Sequence, residues 1–401
     1  ILNLLEHKRG RAFLVFSLYL SEGAPIGFIW WALPTILRGM DIDIEKITSI
    51  TALLVLPWIF KFIWAPLVDG LRSKRFGFKA WILVAQTIMG LSLLPLLYFS
   101  PVTHLNYWII CLIIHSLAAA TQDVAIDAMV INTVATNERG MLNGYMQAGM
   151  LTGRSVFGGG ALMMVPAIGL QNMLLLLIGS IVITMLLLTW VIEPPTTSEK
   201  GPALKDVFKD LASGFKEKNT WRVILFALTS AAAFEVTGGL AGPFLTDIGV
   251  SEKDVGFLFF IPVVVSMLLG GLAGGWLSDH RRRKRSVSFF LVGFVLFVII
   301  TAVMKLMGIE AAIPYYVSLA AMYFFVGMFT SSSYALFMDQ TNPKIGATQF
   351  STYMAATNGC ESWTVWAAGR ITGAGGYAIA FLAMSLISLL SLFILKNVRG
   401  K

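Results

Sequence analysis

The sequence predicts an all-α membrane protein: twelve transmembrane helices in two pseudo-symmetric six-helix bundles, with both termini in the cytoplasm. Three observations carry this. Of the 401 residues, 57% are hydrophobic and only 13% charged, with a mean hydropathy of +0.76, whereas soluble domains carry about 25% charged residues. Apolar runs of about 20 residues, each able to cross ~30 Å of hydrocarbon as a helix, recur along the whole chain. A weak internal repeat relates its two halves. Short polar loops leave no room for a sizeable soluble domain.

The runs fall at residues 11–37, 47–69, 80–99, 107–135, 141–165, 170–191, 222–245, 255–278, 287–306, 313–338, 347–369 and 376–395, taken below as spans 1 to 12. Span 1 is too long for a signal-peptide core and has no small-residue cleavage site, so it is expected to be retained. The chain starts at Ile1 without an initiator Met, and a few residues are expected to precede it. The formal charge of +8 does not point to nucleic acid, because the basic residues alternate by side. Loops on the side of the N-terminus hold 23 of them, including Lys8, Arg72, Lys74, Arg75, Lys205 and Arg281 to Arg285, against five opposite: Arg38, Lys46, Lys253, Lys305 and Arg370. The positive-inside rule then puts both termini in the cytoplasm. Cys111 and Cys360 fall within spans 4 and 11, at a spacing that argues for neither a disulfide nor a metal.

The halves align in one register. "ALPTILRGMDIDIEKI" (32–47) echoes "AGPFLTDIGVSEKDV" (241–255), pairing Pro34 with Pro243. "APLVDGLRSKR" (65–75) echoes "GWLSDHRRRKR" (275–285), pairing Asp69 with Asp279, and Tyr145 pairs with Tyr353. The offsets are 209, 210 and 208. The expected domains are therefore a bundle at 1–191, a linker at 192–221 and a bundle at 222–401. In the linker, Leu204, Val207, Phe208, Leu211 and Phe215 share one face among lysines, which predicts a short helix on the cytoplasmic surface.

A parallel 6 + 6 repeat with an acid and a basic cluster in both the 2–3 and 8–9 loops resembles the major facilitator superfamily. "LPWIFKFIWAPLVD", "ATQDVAIDA", "NERG", the Gly158–Gly160 run and "NPKIGATQFS" resemble its AmpG-type permease branch, which includes siderophore permeases and acetyl-CoA transporters. The resemblance implies a secondary transporter working by alternating access on a bulky polar or anionic solute. Muropeptides and siderophores are the branch's best precedents. Muropeptide permeases often carry further helices after the twelfth, whereas this sequence ends six residues after span 12, which favours the siderophore type.

Charges inside spans are costly, about 2.5–3.5 kcal/mol each on insertion scales, and mark function by default. Lys61 and Asp127 each lie eight residues from the expected cytoplasmic end of their span, ~12 Å deep at ~1.5 Å per residue, and are expected to pair. Arg154 reaches the level of Asp123, which shares a face with Asp127 at i and i+4. With Asp69 and Asp279 at the loop mouths, these residues predict a cytoplasmic charge network or gate; a purely structural network is the alternative. Glu22, Glu235 and Glu361, with Asp123, are the candidates for proton coupling: the three glutamates lie near mid-membrane, and neither Glu22 nor Glu235 has an obvious basic partner in its own span. Candidates for lining the substrate cavity are Glu22, Trp30, His115, Gln122, Gln147, Arg154, Glu235, Tyr353 and Glu361. Trp31, Trp58, Trp64, Tyr145, Trp363 and Trp366 could also stack on a ring, although most such residues are interfacial or packing. His115 is expected to pack rather than relay protons.

The expected activity is proton-coupled import across a bacterial inner membrane by a monomer, with a small-molecule solute and protons as partners, the bilayer as solvent, and no cofactor or nucleic acid. Drug efflux by proton antiport and lipid flipping are the rival readings. No nucleophile elbow, nucleotide loop or metal-ligand cluster points to an enzyme.

Overall fold

The computed structural model describes residues 3–70, 77–133, 139–193, 215, 217–340 and 346–399. They are helical nearly throughout. Span 1 comprises α1 (Lys8–Gly27), a π-helical turn (Phe28–Ala32) and α2 (Leu33–Gly39). Spans 2 to 4 are α3 (Ile44–Gly70), α4 (Phe78–Leu93) and α5 (Leu105–Thr133). Span 5 begins as α6 (Arg139–Arg154), passes a second π turn (Ser155–Gly159) and runs into α7 (Gly160–Leu188). The apolar stretch Tyr145–Leu188 is 44 residues long, too long for one crossing, and it leaves helical geometry at Gly169, φ 82°. Only glycine takes that φ at no steric cost.

The second half repeats the plan with different interruptions. α8 (Lys218–Ser230) and α9 (Ala232–Asp247) are separated at Ala231, and α10 (Glu252–Phe260) and α11 (Pro262–His280) at Ile261. Then follow α12 (Arg283–Leu306), α13 (Ala312–Asp339), α14 (Gly346–Gly375) and α15 (Tyr377–Asn397). Among the described residues, ten helical stretches are long and apolar enough to cross a membrane. α14 is 30 residues long but too polar to be counted with them. The predicted linker helix falls almost entirely outside the described residues.

Two compact units emerge. One holds Ile1–Leu33 with Phe60–Ala203, the other Pro34–Ile59 with Leu204–Lys401. Residues 34–59, which the sequence assigns to the first bundle, therefore pack with the second half. The chain changes units inside two helical spans, at Pro34 and two residues beyond Pro57.

In the first unit, α1 crosses α6 at backbone contact. A Cβ on Gly23 or Gly27 would overlap the carbonyl of Met150 or Arg154, and one on Gly149 or Gly153 would overlap that of Phe16 or Leu20. Lipid supplies no hydrophobic drive between helices, so close packing through small residues has to hold them. Leu14, Leu18, Ile82, Ile126, Met129 and Leu188 complete this core. In the second unit, Ser362 Oγ donates to the Ala52 carbonyl at 2.9 Å and Asn358 Nδ2 to that of Trp58 at 3.3 Å. Both bonds tie α14 to the first half of α3.

Candidate functional site

The first unit gathers ionisable side chains from three helices, with Glu22 and Asp123 buried and Lys61 and Asp127 half-buried. Lys61 of α3 forms an ion pair with Asp123 of α5, and Tyr19 of α1 donates its hydroxyl to Asp127 of α5. The Glu22 carboxyl lies against that of Asp123, with Asp127 and Lys61 as its further charged neighbours. Glu22 is 2% and Asp123 6% exposed, and Glu22 Oε2 is buried without a hydrogen-bond partner. Helical spacing explains the gathering: Tyr19 and Glu22 are i and i+3 on α1, and Asp123 and Asp127 are i and i+4 on α5, so each helix presents two groups on one face.

This corrects the expected pairing in two places. Lys61 bonds to Asp123 rather than Asp127, because its long stem spans the one-turn difference in depth. Arg154 makes no ion pair among the described residues, and its Nε is buried without a partner. It belongs to the close crossing with α1, where its backbone packs on Gly27. The side chains of Asp69 and Asp279 lie outside the described ones.

Next to Asp123, Gln122 is fully buried and neither polar atom of its amide has a partner. A buried amide left so would cost several kcal/mol in hydrocarbon, which makes it the strongest candidate to meet water or solute. His115 sits two turns away, with Nδ1 3.1 Å from the Met89 carbonyl. That contact makes Nδ1 the protonated nitrogen and anchors α5 to α4. Trp31 packs on Gly158, joining the two π turns. Such turns recur at functional sites because they shift every later side chain around the helix. Gln147 and Tyr145 are exposed.

In the second unit, Glu235 lies in the first turn of α9, just past the break at Ala231. Cys360 of α14 is fully buried beside that break, with Glu235 and Glu361 as electrostatic neighbours. Trp363 Nε1 donates to the Leu228 carbonyl at 2.8 Å, and Tyr353 is buried against Phe337 at 5.9 Å between ring centroids. Trp366 carries the Arg370 guanidinium 3.8 Å above its ring.

Sequence reasoning missed one constellation. Arg38 at the end of α2 grips Asp247 at the end of α9 with two hydrogen bonds, Nε to Oδ1 at 2.7 Å and Nη2 to Oδ2 at 2.9 Å. The Tyr377 hydroxyl donates to the same Oδ2 at 2.7 Å. Arg38 and Asp247 are 209 residues apart, the offset that relates Pro34 to Pro243. That shared offset was the available signal. Among the described residues, no group of three His, Cys, Asp or Glu side chains could hold a metal.

The sequence model for the major facilitator superfamily matches residues 12–236, more than half of the chain. The chain belongs to the major facilitator superfamily. Its relatives place it in the AmpG branch of these membrane transporters. It is similar to a candidate transporter named AmpG 4 from Rickettsia conorii, 23% identical over 98% of this chain and 97% of that one. It is also similar to the anhydromuropeptide permease of Escherichia coli K12, 24% identical over 93% of this chain and 76% of the permease. A D-xylose–proton symporter crystal structure superposes with a TM-score of 0.77 over 97% of both chains at 13% identity. That identity speaks for the shared fold alone. Family and fold thus make the chain a multi-pass transporter of small molecules and not an enzyme.

Proposed function

We propose that this facilitator is a monomeric, proton-coupled importer of an anhydromuropeptide-type solute. It would work by alternating access across a bacterial inner membrane, with twelve spans and both termini cytoplasmic. The observation that carries the coupling is the charge count of the buried group in the first unit. Glu22, Asp123 and Asp127 are three carboxyls beside one ammonium, Lys61. Two unbalanced negative charges in a group whose Glu22 and Asp123 are buried would cost more than the binding of protons. The group therefore holds exchangeable protons, and any movement of Lys61 toward or away from Asp123 changes how many. Gln122, with both amide atoms unpartnered, adjoins this group and offers a donor and an acceptor to a polar solute.

The Arg38–Asp247–Tyr377 triad supports alternating access. It ties the outer ends of the first helices of both repeats, while the basic loops mark the opposite side as cytoplasmic. A fork of this kind is directional and breakable, as a gate requires. The Escherichia coli relative moves the choice of solute from the siderophore type to an amino sugar carrying a peptide, a bulky anion with many hydrogen-bonding groups.

The test is uptake into proteoliposomes with the outside acidic, using an anhydromuropeptide, a ferric siderophore, acetyl-CoA and a cationic dye in parallel. Accumulation of the muropeptide that collapses with the pH gradient is expected. Accumulation of the siderophore instead would replace the solute, and uptake indifferent to the gradient would remove the coupling.

A further inference from the structure

The turn from α11 into α12 carries five consecutive basic residues, and their side chains divide into two sets. Arg283 pairs with Asp339 at 3.2 Å, and Lys284 bonds to the Val398 carbonyl; both serve the fold. Arg281, Arg282 and Arg285 are exposed and line a half-open cavity of about 560 Å³. None of the three has a carboxylate partner among the described residues. Ser286 lines the same cavity. It is 4% exposed, and its Oγ is buried without a hydrogen-bond partner. A hydroxyl in that position has been taken from water and given nothing in return.

Three arginines, a serine with an unused hydroxyl and the positive end of a 24-residue helix border one space, which is the chemistry of phosphate recognition. The rest of the wall is apolar. Leu277, Phe289 and Phe290 line the cavity beside the arginines, and Phe289 is 62% exposed. A free phosphate has no use for that surface, whereas the acyl chains of a phospholipid do. We infer that this cavity binds the phosphate headgroup of an anionic phospholipid, with the guanidinium groups and Ser286 on the phosphate and Leu277 and Phe289 against the chains. Such sites suit the edge of a bundle whose basic loops face an anionic leaflet.

The test uses the full-length protein, purified in detergent and stripped of lipid. Phosphatidylglycerol, phosphatidylcholine and inorganic phosphate are titrated separately, with bound lipid counted by native mass spectrometry and the melting temperature recorded. The wild type is expected to retain phosphatidylglycerol and to be stabilised by it, with phosphatidylcholine and phosphate inert. The triple variant Arg281→Gln, Arg282→Gln, Arg285→Gln should bind phosphatidylglycerol on the order of a hundredfold more weakly, since each basic residue at a membrane surface contributes about fivefold. Ser286→Ala removes only the hydroxyl, so it reads the site even if the triple variant fails to fold, and a severalfold weakening is expected. Undiminished binding by Ser286→Ala together with a folded triple variant, or by Ser286→Ala alone if the triple does not fold, would overturn the inference. So would stabilisation of the wild type by phosphate to the same extent as by phosphatidylglycerol.

Discussion

The first unit gathers ionisable side chains at positions whose counterparts in the second, at the offsets of the weak sequence repeat, are apolar. At the offset of 209, Tyr19 and Glu22 correspond to Leu228 and Ala231, and at the offset of 210, Lys61 corresponds to Gly271. The second unit instead fills its core with edge-to-face aromatic pairs: Phe234 on Phe294 at 5.6 Å, Phe294 on Phe329 at 5.3 Å and Phe244 on Tyr315 at 5.0 Å between centroids. The lesson is about necessity. The second unit packs without an ion pair at the counterpart of Lys61, so compact packing does not by itself require the charges of the first unit. Their cost is tolerated for another reason, and a changing proton count supplies one.

The comparison breaks most visibly at Lys61. Lys61→Met leaves Asp123 buried and unpaired and should destabilise the protein by about 3–5 kcal/mol. Adding Asp123→Leu gives the first unit the apolar character of the second and should restore most of that stability, because a buried pair contributes little over a well-packed apolar one. Melting temperature and uptake measured on both variants separate the roles. A stable double variant that still accumulates solute would make the group a scaffold.

Glu22→Gln should leave the fold intact and solute exchange measurable while uphill accumulation falls to the equilibrative level, since an amide keeps the size and hydrogen bonding but cannot release a proton. Normal accumulation by this variant would take Glu22 out of the coupling group. In the second unit, Phe294→Leu should cost about 1–3 kcal/mol, since it deletes buried ring atoms and two edge-to-face contacts, with transport per folded molecule unchanged. A selective loss of coupling there would show that the aromatic unit is not the passive partner.

The smallest effect is expected at the triad. Tyr377→Phe removes one hydrogen bond from Asp247, worth about 1 kcal/mol, and should raise labelling of a buried Thr35→Cys reporter by an impermeant maleimide about fivefold. Unchanged labelling would mean that the triad does not hold this end closed.

Composition and hydropathy determined the class of molecule and most of the apolar helical spans, because a bilayer requires each crossing to be apolar and internally hydrogen-bonded. They also singled out the ionisable residues that lie within helical spans, of which Glu22 and Asp123 are buried. Rotation about a helix axis and the reach of a side chain are not set by hydropathy. Depth matched Lys61 to Asp127, but packing turned it to Asp123 and gave Asp127 the Tyr19 hydroxyl, a tyrosine that reads in sequence as one more packing residue. The π turns at Phe28–Ala32 and Ser155–Gly159 and the break at Ala231 have no sequence signature, because each is a shift of one hydrogen-bond register selected by the neighbouring helix. Arg38 and Asp247 were legible as positions that share the offset of the repeat. That they bond was decided by the tertiary structure, which packs residues 34–59 with the second half.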